Sequence, residues 1–514
     1  MTELSGGALR KVIADQITLN TNSLLATLAP YDAVQATTAW HTTLRAVEEL
    51  INIPAFGLDT LEEARRLMAV PLGEEFLADP SALNWIVPML SQRFDSALAQ
   101  RFATVLYQSA ALGAAYRAHG MADLGYGIHL GTIGDAITYF QSRRRLMVTL
   151  LYTLPRACKG SQPMTALDSI NVFMPQIELH GMSLVTLHRQ ALLADIVPDF
   201  VERSDGAGGW GSHHYQPLES FFLEPERLSV LEMERLRPST LPPIVAGDID
   251  PKRIFSAAEL RHQARLIGRA YQAFGLDDTR FAAASKLVFA VSRHVEDDYF
   301  VVLDHARFET LLRAQGATDT AQLRSELLAD DVDFMRNSNS FAPFVVLGDK
   351  VVSNVNLLMR FLNAFKSFAL ESRKRYQIHS GFVFEDMVKR DLAELGFAVT
   401  DIKRINRKEF DVVATRGGAI YNIQCKNNWV DLRDIEADPT AFARYNRWLV
   451  WYYKRALAKE EAREQLLRDR LGLSEIRHFV VSRFPVITDD TRIVAYNRLA
   501  EGLGVVRPAG TGRA

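Results

Sequence analysis

A chain of 514 residues is too long for one ordinary core and predicts two to four domains. With 48% apolar and 23% charged residues it is expected to fold, which excludes wholesale disorder, and its two cysteines exclude a disulfide framework or a cysteine-rich zinc site. The net charge of −2 averages two unlike parts: residues 371–514 hold 26 Lys+Arg against 20 Asp+Glu, residues 1–370 hold 33 against 41, and a polyanion would sooner meet the former.

The first residues, Met1 to Gly6, have neither a basic nor an apolar leader pattern, and no run of about 18 uncharged apolar residues follows. A cytoplasmic protein with no membrane partner is expected. Residues 1–203 predict helix after helix, with apolar residues three and four apart over Ala36 to Ile51, Ser96 to Arg117 and Ile177 to Ile196. Residues 204–251 predict a hinge, because Gly206, Gly208, Gly209 and Gly211 crowd its start and Pro238, Pro242, Pro243 and Pro251 punctuate its end. Residues 252–370 predict a mixed, mostly helical domain, with a strand over Tyr299 to Leu303 and a hairpin over Phe344 to Asn354 turning at Gly348 and Asp349. A long helix from about Asn356 to Lys374 leads out of it. Residues 371–506 form the last domain and 507–514 a flexible tail.

In that last domain the elements change to an α/β order. A helix from about Gly381 to Leu395 carries an apolar stripe at Phe384, Val388, Leu392 and Leu395, and Glu385 lies beside it, partly inward. A strand from Glu409 to Thr415, a turn at Arg416 to Gly418 and a strand from Ala419 to Lys426 predict a tight hairpin. Across it, Asp411 meets roughly Ile423 or Gln424. Alternation puts Gln424 and Lys426 on one face, which Asp411 can share with Val413, and puts Tyr421, Ile423 and Cys425 on the other. Cys425 is therefore expected to face away from these polar residues, as core.

The segments G-F-V-F-E, E-F-D-V-V-A and I-Q-C-K-N, in that order, resemble the PD-(D/E)XK nuclease superfamily, and the Gln-x-Lys form looks most like the Mrr-type restriction endonucleases. The resemblance covers about 120 residues. It implies a restriction-endonuclease-like domain with a mixed central sheet flanked by helices, so that the whole is a multidomain protein with a mainly α-helical N-terminal region. It also implies hydrolysis of phosphodiester bonds in DNA with Mg2+ or Mn2+. Asp411 and the Gln424 amide oxygen would hold the metal, Glu385 would hold a second ion or orient water, and Lys426 would steady the attacking water and the phosphorane. Gln424 departs from the commoner Glu and removes a negative charge. Restriction or antiviral defence is the implied setting, with a homo-oligomer or a defence-system protein as further partners. The alternative is an inactive nuclease fold that binds DNA or assembles with other proteins.

Glu409 is either a further ligand or a solvated strand end. In a helix from about Thr440 to Arg470, Arg444, Arg447 and Lys454 are candidate phosphate contacts, while the interleaved Tyr445, Trp448, Trp451, Tyr452 and Tyr453 are expected mainly in the core. Gly125, Gly127, Gly131 and Gly134 follow no strand and predict a helix connection, and His213 and His214 lack metal-ligand partners at suitable spacing.

Overall fold

In a computed structural model the described residues are 3–56, 60–121, 128–197, 200–204, 210–211, 225–236, 241, 250, 252–315, 320–329, 331–428, 439–484 and 486–505. The glycines at 125, 127, 206, 208 and 209, the histidines at 213 and 214, the prolines at 238, 242, 243 and 251, and the tail from 507 lie outside them.

The N-terminal region is helical. Its main helices are α1 (Gly6–Leu28), α2 (Ala33–Phe56), α3 (Ser96–Ala118), α4 (Ile133–Ala157) and α5 (Met182–Ile196). A small antiparallel sheet joins β1 (Glu3–Ser5), β2 (Val201–Ser204) and β3 (Trp210–Gly211). After α6 (Pro225–Met233) and α7 (Ala257–Tyr271) comes a five-stranded sheet, in the order β4-β5-β8-β7-β6. Its strands are β4 (Val295–Glu296), β5 (Phe300–Asp304), β6 (Leu328–Ala329), β7 (Phe344–Leu347) and β8 (Lys350–Asn354). One apolar core runs through both regions, from Leu24 in α1 through Trp40 and Leu150 to Val345, Phe361 and Tyr376. Arginines from the helices reach across it, Arg145 to the Ser338 carbonyl at 2.6 Å and Arg45 to Asp297.

Beyond α8 (Val355–Leu370) and α9 (Lys374–Glu394) lies a second five-stranded sheet, in the order β15-β14-β13-β12-β9. It comprises β9 (Ala398–Val399), β12 (Val412–Arg416), β13 (Ala419–Lys426), β14 (Glu475–Ser482) and β15 (Ile493–Ala495), with a separate ribbon of β10 (Arg404–Ile405) and β11 (Lys408–Glu409). The sheet is mixed: β13, β14 and β15 run parallel, while β9 and β13 flank β12 antiparallel. On one face α9 packs Phe384, Val388 and Leu392 against Val412, Tyr421 and Ile423. On the other lie α10 (Pro439–Glu461) and α11 (Glu464–Leu471), with Leu467 against Phe410, Val413 and Ile420. The inner stripe of α10, Phe442, Leu449, Tyr453 and Leu457, packs with Leu9 and Ile13 of α1 and Leu192 and Leu193 of α5, so this sheet layer shares a core with the N-terminal helices.

Several predicted boundaries move, and the helix expected from about Gly381 already starts at Lys374. The helix expected over 356–374 ends at Leu370, because α8 is buried almost all round and the chain leaves the core through the exposed Glu371, Ser372 and Arg373. The strand expected from Glu409 starts at Val412, since Asn406 and Arg407 take left-handed φ values of 46° and 65° and turn Glu409 back onto Arg404 in the ribbon. The helix expected over 440–470 breaks at Ala462 and Arg463 into α10 and α11. No helix of the described residues is long and apolar enough to cross a membrane.

Candidate active site

Gly417 and Gly418 have φ values of 58° and 80°, as a two-residue hairpin turn needs, and the turn fixes the β12–β13 register with Val412 opposite Ile423. One step further along the ladder, Asp411 falls beside Gln424. The Asp411 side chain finishes the ladder: its Oδ2 accepts the Cys425 backbone N–H at 2.9 Å. Burial raises the Asp411 carboxyl above its ordinary range, and the nearby Lys426 charge and this hydrogen bond pull the other way. Gln424 is buried, and its Oε1 accepts from Lys426 Nζ at 3.1 Å.

Glu385 comes from α9 on the opposite side of the hairpin. It is half-buried, and burial first, then the negative charge of Asp411, pushes its carboxyl up to about 7. Three of the four residues singled out from sequence thus meet at the strand ends, and Glu385 lies on α9 within the field of Asp411. Cys425 keeps the face expected for it and packs partly buried against the core. Its side chain does turn to the α9 face, yet its N–H binds Asp411, and the charges of Asp411 and Glu385 add to the burial that holds its thiol high. Glu409 does not join the site: it is exposed and paired with Arg404.

Two polar layers that motif reading missed support the strand ends. On the α10 side, the buried Asn422 donates from Nδ2 to Glu460 Oε2 at 2.9 Å, and Glu460 also accepts from Arg463 Nε at 2.9 Å. On the α9 side, Arg483 Nη1 donates to Asn427 Oδ1 at 2.9 Å and to Ser380 Oγ at 3.1 Å, while Asn427 Nδ2 donates to the same hydroxyl at 3.0 Å. Behind Ser380 sits Glu232 of α6, fully buried with Lys366 of α8 at 2.8 Å and bonded by the Tyr271 and Tyr376 hydroxyls at 2.6 and 3.0 Å. Only the parallel pairing of Lys426 with Ser482 sets Arg483 next to Asn427, so no local pattern could have pointed to it.

No family model, curated protein or solved structure matches this chain. The site must be judged on its own chemistry. Among the described residues no three His, Cys, Asp or Glu side chains gather to hold a metal. The donors present are two carboxylates and one amide oxygen, a hard set suited to a dication that keeps most of its water, as Mg2+ does. The raised Glu385 fits the same view, because a dication between it and Asp411 would relieve the repulsion that burial sharpens.

The expectation of a core role holds for Tyr445 and Tyr453 and fails for the other three aromatics of α10. Tyr453 is buried, but Trp448, Trp451 and Tyr452 are 46%, 54% and 38% exposed. Arg444, Arg447, Lys454 and Arg455 are exposed among them.

Proposed function

We propose that this chain is a divalent-metal-dependent endonuclease that hydrolyses phosphodiester bonds in DNA, built on a restriction-endonuclease-like domain and acting in bacterial restriction or antiviral defence. The observation that carries the reading is the meeting of Asp411 and Gln424 at the open end of one hairpin, with Lys426 against Gln424 and Glu385 within the field of Asp411. The mixed sheet between α9 and the α10–α11 pair is the arrangement that the motif order implied, which supports it further.

Asp411, Gln424 and Glu385 would hold Mg2+ or Mn2+, which when bound would polarise the scissile phosphate and acidify the attacking water. The Cys425 N–H fixes which oxygen of Asp411 remains available. Lys426, held by Gln424, would set a cation beside the reacting phosphate, where it could orient the water and offset charge as the phosphorane forms. Asn427, Arg483 and Ser380 hold the strand end that carries Lys426.

Relaxation of supercoiled plasmid with Mg2+ tests the reading. The wild type should nick or cut it, and both Lys426→Ala and chelation should stop the reaction. A wild type that binds the plasmid and never cuts it would leave the alternative, an inactive nuclease fold used for DNA binding or assembly. The neutral Gln424, already bonded to Lys426, is the observation that favours that alternative.

A further inference from the structure

A row of rings runs along α10 from the half-buried Tyr445 to the exposed Trp448 and Tyr452. Tyr445, Trp448 and Tyr452 follow one another at successive helical turns, with centroids 5.5 Å apart at both steps and planes inclined by only 19° and 3°. The row runs on to the candidate active site, since Lys426 Nζ lies 5.8 Å from the centre of the Tyr452 ring. Beside it Trp451 is covered on one side by the Arg455 guanidinium at 4.8 Å. Arg444, Arg447 and Lys454 flank the rings, and Lys454 makes an exposed ion pair with Asp489 at 3.8 Å, which a phosphate could replace.

Of these rings Tyr445 also packs against the core, while Trp448 and Tyr452 lie on the exposed side of the helix. The inner stripe of α10 already supplies its core contacts through Phe442, Leu449, Tyr453 and Leu457. Large rings left in water invite a partner. Three properties single out nucleobases over a protein surface: the rings lie parallel and not edge to face, cations alternate with them, and the row ends at the residue that would meet a phosphate. Paired bases inside a duplex offer no free π-face to such a row, whereas unpaired bases do.

We propose that Tyr445, Trp448 and Tyr452 form a stacking rail for unpaired nucleobases that feeds the strand to Lys426, so that the DNA cut is single-stranded or locally unpaired. The inference rests on the nuclease reading for what happens at the end of the rail, but binding alone tests the rail.

The experiment measures anisotropy of a fluorescein-labelled oligothymidylate of about twenty nucleotides and of a blunt duplex of equal length, without metal and at one salt concentration. The full-length protein should bind the single strand at least about tenfold more tightly, Trp448→Ala should lose roughly tenfold for the single strand and little for the duplex, and Trp448→Phe should recover most of it. Equal or tighter binding of the duplex, or an unchanged Trp448→Ala, overturns the proposal. So does a change from dimer to monomer in Trp448→Ala by sedimentation, which would make the rail a contact between copies of the chain. Cleavage assays with Mg2+ separate the two readings. Stacking without cleavage of any DNA defeats the nuclease, and cleavage of duplex that ignores Trp448 defeats the rail.

Discussion

The hairpins β7–β8 and β12–β13 each turn through two residues inside a five-stranded sheet, and they differ in how their ends are finished. In the first, the buried Ser353 and Asn354 side chains of β8 have partners of fixed geometry. Ser353 Oγ donates to the Pro343 carbonyl at 2.6 Å, Asn354 Oδ1 accepts the Leu357 N–H at the start of α8 at 2.8 Å, and Asn354 Nδ2 donates to His41 Nε2 at 2.6 Å. Burial lowers His41 to about 4, so it stays neutral and can accept. In the second, Asn422 Oδ1 is buried without a hydrogen-bond partner among the described residues, and the polar groups beyond it lean on one another around two carboxylates. A satisfied end serves stability, while an end that holds like charges together stores electrostatic energy that a ligand can release.

The sharpest way to break this comparison is to delete the cation at the second end. Lys426→Ala should lower plasmid cleavage by about a thousandfold, the scale of one lost transition-state donor, with little change in melting temperature. A large loss of stability with proportionate loss of cleavage would make Lys426 structural, like the residues of the first hairpin.

The pH dependence comes next. Glu385 titrates at about 7 where an ordinary glutamate has 4.5, so the folded chain keeps its proton longer than the unfolded one. The stability this contributes is complete below the unfolded value and is lost as pH rises through about 7. Metal uptake runs the other way, because the carboxylate must be ionised: below pH about 7 metal affinity should fall by roughly tenfold per unit. Glu385→Gln should flatten that slope and raise the melting temperature at alkaline pH only. A slope unchanged in the variant assigns the titration elsewhere.

Asn354→Ala tests the other hairpin. Loss of the α8 cap, with His41 left unpartnered, should cost about 1–2 kcal/mol in chemical denaturation and leave cleavage per folded molecule intact. The smallest effect concerns Gln424. Gln424→Glu adds a negative charge to the donor set and should lower the Mg2+ concentration for half-maximal cleavage by a few-fold, about 1 kcal/mol or less, and Gln424→Ala should raise it. Equal metal requirements in both variants would remove Gln424 from the donor set.

Much of the second hairpin was legible because its signals are local. Two glycines at the turn fix the register, alternation assigns faces, and the helical phase of Glu385 follows from Phe384, Val388 and Leu392. What escaped is non-local. Arg483 reaches Asn427 through a parallel strand pairing, Ser380 is tied to Glu232 across 148 positions of chain, and the Cys425 N–H is a backbone group that no motif names. Three of the aromatics of α10 were misjudged because composition cannot tell a ring that packs inward from its neighbour one position away. Tyr452 is exposed and Tyr453 is buried on the strength of one helical step of about 100°. The split of α8 from α9 was hidden for a similar reason, since Glu371, Ser372 and Arg373 include neither proline nor glycine.

The packing of Leu9 and Ile13 against Leu449 and Tyr453 sets a timetable for biosynthesis. Helix α1 leaves the ribosome early and can dock on α5 once that helix emerges, but the rest of its apolar stripe waits for α10. At translation rates of about 5–20 residues per second, that wait lasts from roughly twenty seconds to a minute and a half. For that interval the stripe is open to chaperones or to the same stripe on a neighbouring nascent chain. Helix α10 comes to rest against α1 and α5 only once residues 439–461 have been made, so a product stalled before them would leave that shared core open.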